Sequence, residues 1–232
     1  MNLLNFLFPR RCLSCGTIGK YFCSRCVGKI RTIEQRETIC PVCERPAISG
    51  ATHPFCKTRY TIDGLTGFFH YDGIIRKAIK SLKYRSVSDL AKEFVGLIPD
   101  TVLSHIVLVC HSRENGNPVF IPVPLHSSRY KDRGFNQAEV LAQFIARRLS
   151  LRVATDILKR VKHTTPQVEM KDRNKRLKNM EKVFSVLHSP FPFPYSVILF
   201  DDVFTTGATM RAAANILKRE GVKFVWGITM AR

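Results

Sequence analysis

The segment 197–209, Val-Ile-Leu-Phe-Asp-Asp-Val-Phe-Thr-Thr-Gly-Ala-Thr, narrows the folds open to this chain more than any other. An apolar run of strand length ends in two adjacent carboxylates, Asp201 and Asp202. A short loop of threonines around one glycine follows, and then an alanine-rich helix. Carboxylates at the end of a strand can hold sugar hydroxyls and a hydrated magnesium ion. Thr205, Thr206, Gly207, Ala208 and Thr209 sit where a helix begins, and there backbone N–H groups and hydroxyls face a phosphate. The two halves together suit a phosphorylated sugar.

The surrounding pattern places this unit in an α/β domain. Leu65 to Tyr71 has strand character, and Asp72-Gly73 makes a turn. Ile74, Ile75, Ala78, Ile79 and Leu82 then recur at helical spacing. Ser88-Asp89 caps a second helix carrying Leu90, Ala91, Phe94, Val95 and Ile98. Ile106–Val109 and Val119–Val123 read as strands on either side of a polar, turn-rich segment. Asn136, with Glu139 three residues on, caps a third helix with an apolar stripe of Val140, Leu141, Phe144, Ile145 and Leu149. Val183–Val186 and Val222–Ile228 supply further strands, and a helix from about Met210 to Glu220 ends at Gly221. Strands alternating with helices imply a largely parallel sheet flanked by helices, with ligands at the strands' carboxyl ends.

The front of the chain is built differently. Seven of the eight cysteines fall in the first 56 residues, as Cys12/Cys15, Cys23/Cys26, Cys40/Cys43 and Cys56. A Cys-x-x-Cys turn aims two thiolates at one tetrahedral zinc, and its amides bond to the sulfurs. Cys12, Cys15, Cys23 and Cys26 suffice for one four-cysteine site. Cys40, Cys43 and Cys56 lack a fourth cysteine, and His53, separated from Cys56 by Pro54-Phe55, completes a second set. An interleaved pairing, with Cys12/Cys15 joined to Cys40/Cys43, satisfies the same spacing. Either way four protein ligands leave no open position, so the zinc is structural. These residues define a cysteine-rich module over 1–60 and a second domain over 61–232. Cys110 stands alone in an apolar run and reads as packing.

Charge is the compositional outlier: 37 basic against 18 acidic residues give a net +19. That balance favours polyanionic partners, either nucleic acid or a phosphorylated substrate. No apolar run approaches the ~20 residues that span a bilayer. Leu3–Phe8 is too short for a secretory core, so the expected location is the cytoplasm, where a disulfide framework is disfavoured.

The second piece of the site is Pro122-Val123-Pro124-Leu125-His126, followed by Arg129, Lys131, Arg133 and Gly134-Phe135-Asn136-Gln137. Three cations on a strand-to-helix connection make a diphosphate cradle. The 197–209 segment resembles the 5-phosphoribosyl 1-diphosphate (PRPP) signature of type I phosphoribosyltransferases. Pro-Val-Pro-Leu-His, Arg-Gly-Phe-Asn-Gln and Asp-Asp-Val-Phe-Thr-Thr-Gly-Ala-Thr, behind a multi-cysteine N-terminus, are together similar to the ComF family of competence-associated proteins. The resemblance covers nearly the whole chain, with two departures: His53 stands where many members have cysteine, and about 109–118 looks like a surface insertion.

The resemblance implies a type I phosphoribosyltransferase-like fold with a small N-terminal zinc-binding module. It implies that Asp201 and Asp202 hold the ribose hydroxyls, directly or through Mg²⁺, and that Thr205 to Thr209 wrap the 5-phosphate. Arg129 and Arg133 would face the diphosphate. A lid would comprise the segment around Arg160, Lys162, Gln167, Arg173, Arg176 and Asn179. The implied activity is pentosyl transfer from PRPP to an acceptor that no segment identifies. The alternative is a nucleic-acid-binding protein serving DNA uptake, binding single-stranded DNA and DNA-uptake proteins, whose PRPP pocket is regulatory or vestigial.

Overall fold

The computed structural model of the protein describes residues 9–82, 87–111, 117–162, 183–187 and 196–232. After the cysteine-rich region, whose described residues include the short α-helix α1 (Ser24–Val27), the described elements run β1 (Gly64–Phe69), α2 (Gly73–Ser81), α3 (Val87–Gly96), α4 (Asp100–His111), β2 (Val119–Pro122), α5 (Ser127–Arg133) and α6 (Gln137–Arg148). β3 (Leu158–Arg160), β4 (Phe184–Val186), β5 (Ser196–Val203), α7 (Ala208–Arg219) and β6 (Phe224–Ala231) complete them. Four strands form one sheet in the order β1-β6-β5-β2, with all three pairings parallel. β3 and β4 pair antiparallel outside it. A parallel sheet flanked by helices, behind a small cysteine-rich module, is the architecture the patterning implies.

β5 lies between β6 and β2, and its apolar residues are buried on both faces, which a central parallel strand requires. The pleat sorts them. Ile198 and Phe200 face one core with Phe120, Trp226, Ile228 and residues of α2, α3, α4 and α6. Val197 and Leu199 face another with Ile121, Val225 and residues of α7 and the β3–β4 pair. Period-two alternation in one strand thus feeds two layers of helix.

The cysteine-rich region is not a free appendage. Cys12, Phe22 and Cys26 belong to the first of these cores. The Phe22 ring stacks on Phe94 of α3 at 5.6 Å, and Phe94 on Phe69 of β1 at 5.9 Å. Glu93 accepts the Tyr21 N–H at 2.9 Å. Just before β1, Asp63 is buried and holds the sheet to α7. Its Oδ2 accepts the Val225 N–H at 2.9 Å and pairs with Lys218 Nζ at 2.6 Å, while Lys57 reaches its other oxygen at 3.4 Å.

Three expectations need correction. Ile106–Val109 is not a strand but part of α4: Leu103, Ile106 and Cys110 are buried at helical spacing while Leu108 is exposed, so the period is that of a helix. Ser88 and Asp89 lie inside the first turn of α3 rather than capping it. On α6 the buried stripe is Ala138, Leu141, Ala142, Ile145 and Ala146, with Val140 and Phe144 only partly covered. Small residues let this helix pack close, and alanine carries little signal in an apolar pattern. The packing role read for Cys110 holds, and burial pushes its thiol up to about 12.

Asp63→Ala strands a buried lysine and the Val225 amide, and is expected to lose ~3–5 kcal/mol of stability in denaturant titration. Arg31→Ala, which breaks the exposed pair with Asp72, leaves the denaturation midpoint within error.

Candidate functional site

The carboxyl end of β5 is where the sheet stops being dry. Asp201 and Asp202 are its sixth and seventh residues, and alternation carries their side chains to opposite faces. Asp202 follows Ile198 and Phe200 toward α6, where Gln137 Nε2 donates to its Oδ2 at 3.1 Å. Gln137 Oε1 in turn accepts from Arg133 Nη1 at 3.1 Å. Asp201 follows Val197 and Leu199 toward the β3–β4 side and shares a small pocket with Phe204, Thr205, Gly207, Ala208 and Thr209. Its Oδ1 accepts the Asp202 N–H at 2.9 Å.

Electrostatics separate the pair further. Burial, and then the Asp202 charge, raise the Asp201 carboxyl well above the usual carboxylate range, while the Asp202 amide and Arg160 pull it down. Arg160, on β3, lies over the Phe184 ring at 5.6 Å. Burial, and then the charge of Arg129, lower its affinity for its proton, and Asp201 opposes both. Arg129, Arg160 and Asp201 therefore form one electrostatic group.

The loop after β5 turns at Gly207, the N-cap of α7, in the left-handed region at φ 65°. A Cβ there would lie 2.3 Å from the Phe204 ring and 2.7 Å from Arg211 Nη1. Glycine is required both by conformation and by space. Ala208 and Thr209 occupy the first turn of α7, where backbone N–H groups lack helical acceptors.

The connection carrying the other cations is not an open loop. Ser127–Arg133 forms α5, capped by His126, whose ring accepts from the Ser128 N–H, and closed by Gly134 at φ 76°. Asn136 then caps α6 by accepting the Ala138 N–H at 3.1 Å, and donates to the Val123 carbonyl at 3.1 Å. That double anchorage seats Gln137 against Asp202. Gln137 was legible only as part of the Gly-Phe-Asn-Gln motif, and its bridging position needed the fold. Of the segment read as a lid, Arg160 and Lys162 lie within the described residues, with Arg160 on a strand. Gln167, Arg173, Arg176 and Asn179 lie outside them.

The cysteines gather in two groups of four, and they pair sequentially. Cys12, Cys15, Cys23 and Cys26 form one, Cys40, Cys43, His53 and Cys56 the other, with ligand atoms in each within 4.8 Å of one another. A tetrahedron with arms of ~2.3 Å has edges of about 3.8 Å, and Cys15 and Cys23 Sγ stand 3.6 Å apart. Cys43 Sγ and His53 Nδ1 stand 3.3 Å apart, while the opposite ring nitrogen of His53 meets the Pro46 carbonyl at 3.0 Å. That second contact presents Nδ1 as the ligand atom.

Burial disfavours ionising Cys12 and Cys40. Amide N–H groups of Ser14, Cys15 and Cys23, and of Val42, Cys43 and His53 respectively, outweigh it and shift both thiols downward. Burial and neighbouring thiols push Cys26 and Cys56 up to about 11. Donor type, spacing and sulfur-directed amides fit tetrahedral zinc at both clusters.

A strand end with paired carboxylates, a glycine-turned helix N-terminus and a double cysteine cluster define a parallel α/β protein with a zinc-ribbon front. A model of the double zinc ribbon domain matches residues 3–58. Competence protein F of Haemophilus influenzae is 44% identical over 116 residues, which is 48% of this chain and 49% of that one, so the match spans about half of each. DNA utilization protein YhgH of Salmonella typhi is 29% identical over 88% of this chain and 86% of its own. Competence protein ComFC of Bacillus subtilis is 27% identical over 86% and 78%. Among solved structures, one titled as the allosteric regulatory enzyme of purine biosynthesis overlays with a TM-score of 0.34 at 14% identity, covering 62% of this chain and 26% of that one. These similarities, together with the double zinc ribbon, support a protein of the ComF type. Among the described residues, no single helix is long and apolar enough to cross a membrane.

A carboxyl whose pKa is higher in the folded than in the unfolded chain keeps its proton longer when folded. Above about pH 4, the ordinary aspartate range, the unfolded chain has released that proton while the folded one has not, so stability falls as pH rises through the gap. Asp201→Asn is expected to flatten this decline and raise the ligand-free denaturation midpoint at pH 7–8. A midpoint lowered at neutral pH would contradict it.

Proposed function

We propose that the carboxyl end of β5 binds PRPP and that the protein transfers its phosphoribosyl group to an acceptor nucleophile. The observation that carries this reading is the unbroken run from Asp201-Asp202 through the left-handed Gly207 to the N-terminus of α7, with Arg129, Arg133 and Arg160 on neighbouring elements. The loop of Thr205 to Thr209 suits a phosphate monoester. Asp201, short of compensating charge, suits the ribose hydroxyls or a cation. Magnesium, where bound, would be held by Asp201, on the side of the Thr205–Thr209 loop, and would neutralise the diphosphate.

In the reaction, the nucleophile's lone pair forms a bond to the anomeric carbon as the bond to the diphosphate oxygen breaks. That electron pair leaves with the diphosphate, and the nucleophile sheds its proton. Arg129, Arg133 and Arg160 meet the growing negative charge, and the carboxylates favour the positive ring. Arg133 also holds Gln137, so it is tied to Asp202 as well as to the leaving group.

The combined change Asp201→Asn and Asp202→Asn is expected to weaken PRPP binding by about 100-fold or more in titration calorimetry, with the far-UV spectrum unchanged. Unaltered affinity would remove both residues from the site. Diphosphate release from PRPP with a panel of nucleobases and other nucleophiles then identifies the acceptor.

A second reading rests on the net charge of +19 and on relatives named for competence and DNA utilization. In it the protein binds single-stranded DNA and the sugar-phosphate site regulates that binding. A steep fall of DNA affinity with salt, together with no diphosphate release for any acceptor, selects this reading.

A further inference from the structure

One side chain joins the second cysteine cluster to the loop assigned above to phosphate. Arg211 lies in the first turn and a half of α7 and donates from Nη1 to the carbonyl of Pro41 at 2.9 Å. Pro41 is buried and sits inside the Cys40-Pro41-Val42-Cys43 turn, whose two cysteines belong to the second cluster. The same guanidinium lies against Gly207, where an added Cβ would come within 2.7 Å of Nη1. The Phe204 ring presses on the glycine as well, and Phe204 is itself buried. The Arg211 N–H closes the first turn onto the Gly207 carbonyl at 2.9 Å. Gly207 is therefore held by a ring and a guanidinium, and the guanidinium is anchored on the metal-binding turn. Val42, Ala208 and Arg211 also line one groove, so the two segments face each other beyond this single bond.

We infer that Arg211 is a positioning residue through which metal at Cys40, Cys43, His53 and Cys56 sets the order of the Thr205–Thr209 loop. The metal fixes the turn and the turn fixes the Pro41 carbonyl. That carbonyl orients the guanidinium against Gly207, and the loop then keeps its amides aimed at a phosphate. Without metal the turn loses its cross-link, the carbonyl no longer has a fixed place, and the guanidinium loses this anchor beside the glycine. The ligand half of this inference rests on the PRPP reading, whereas the link between cluster and loop does not. Reciprocity requires that phosphate held in the loop raise the affinity of the second cluster for its metal.

The test uses the full, zinc-loaded chain without any phosphoribosyl ligand. Hydrogen exchange is followed at two amides that bracket the loop, Phe204, bonded to the Ala231 carbonyl, and residue 211, bonded to the Gly207 carbonyl. Arg211→Ala, with zinc content still two per chain, is expected to speed exchange at both by tenfold or more. Arg211→Lys keeps the charge without the planar fork and is expected to behave like the alanine variant. Stripping metal from the second cluster, by chelation or by Cys56→Ser, is expected to speed the same amides in the natural chain and to add nothing in Arg211→Ala.

Unchanged loop exchange in Arg211→Ala overturns the inference, as do full rescue by lysine and additive effects of metal loss and Arg211→Ala. If Cys56→Ser fails to fold, the two Arg211 variants and chelation still decide. PRPP titration of the same samples separates the two claims. Coupled exchange with no PRPP affinity in the natural chain keeps the link and removes the ligand, and PRPP affinity indifferent to Arg211→Ala and to metal does the reverse.

Discussion

The proposed site depends on where β5 ceases to be buried. Through Phe200 the strand is sealed on both faces, and a carboxylate there would need a paired countercharge or a proton. Asp201 and Asp202 occupy the next two positions, where helix cover ends and solvent begins. The placement is a compromise, because Asp201 still feels enough burial to resist ionisation. A site that binds a polyhydroxylated, multiply charged ligand gains from such a group, since the ligand supplies what the folded chain withholds. On the proposed reading, the stability forgone without ligand is what a bound sugar phosphate would return.

The two layers of helix are addressed by alternate residues of one strand, and so are the two carboxylates. Asp202 is tied by Gln137 to α6 and through Arg133 to α5, whereas Asp201 lies beside the loop that opens α7 and the cations of α5 and β3. Adjacent in sequence, they are not equivalent in surroundings. One is tied to the helix layer by Gln137, and the other, half sheltered beside Arg160, resists ionisation.

Much of this was legible in the residues, for physical reasons that also mark where legibility ends. The strand–carboxylate–glycine–helix order is local, so its geometry follows from sequence alone, and Gly207 takes the conformation such a turn requires. The cysteine groups were legible as ligand sets because the spacing of a Cys-x-x-Cys turn is itself the geometry. Which pairs join is a tertiary matter that only the fold decides in favour of sequential closure. Ile106–Val109 misled because β-branched runs satisfy strand propensity even where Leu103, Ile106 and Cys110 keep a helical period. Gln137 and Arg211 escaped notice because their meaning lies in partners 65 and 170 residues away.

Sequential pairing of the metal ligands has a further consequence, for the order in which the chain takes shape. Each ribbon can close on its metal as soon as its own short stretch has been made, before any strand of the sheet exists. The sheet obeys the opposite rule. β1, the first described strand of the sheet, pairs along one edge with β6, the last described, while Thr32 and Ala51 of the cysteine-rich region bridge to its ends, so its sheet partner comes only once β6 has been made. During that interval Phe68, Phe69 and Leu65 have no sheet to enter, and such exposed apolar strands invite aggregation. The metal-closed ribbon carries Phe22 within reach of Phe94 and so of Phe69. It offers the waiting strand a surface to rest against until its partner arrives.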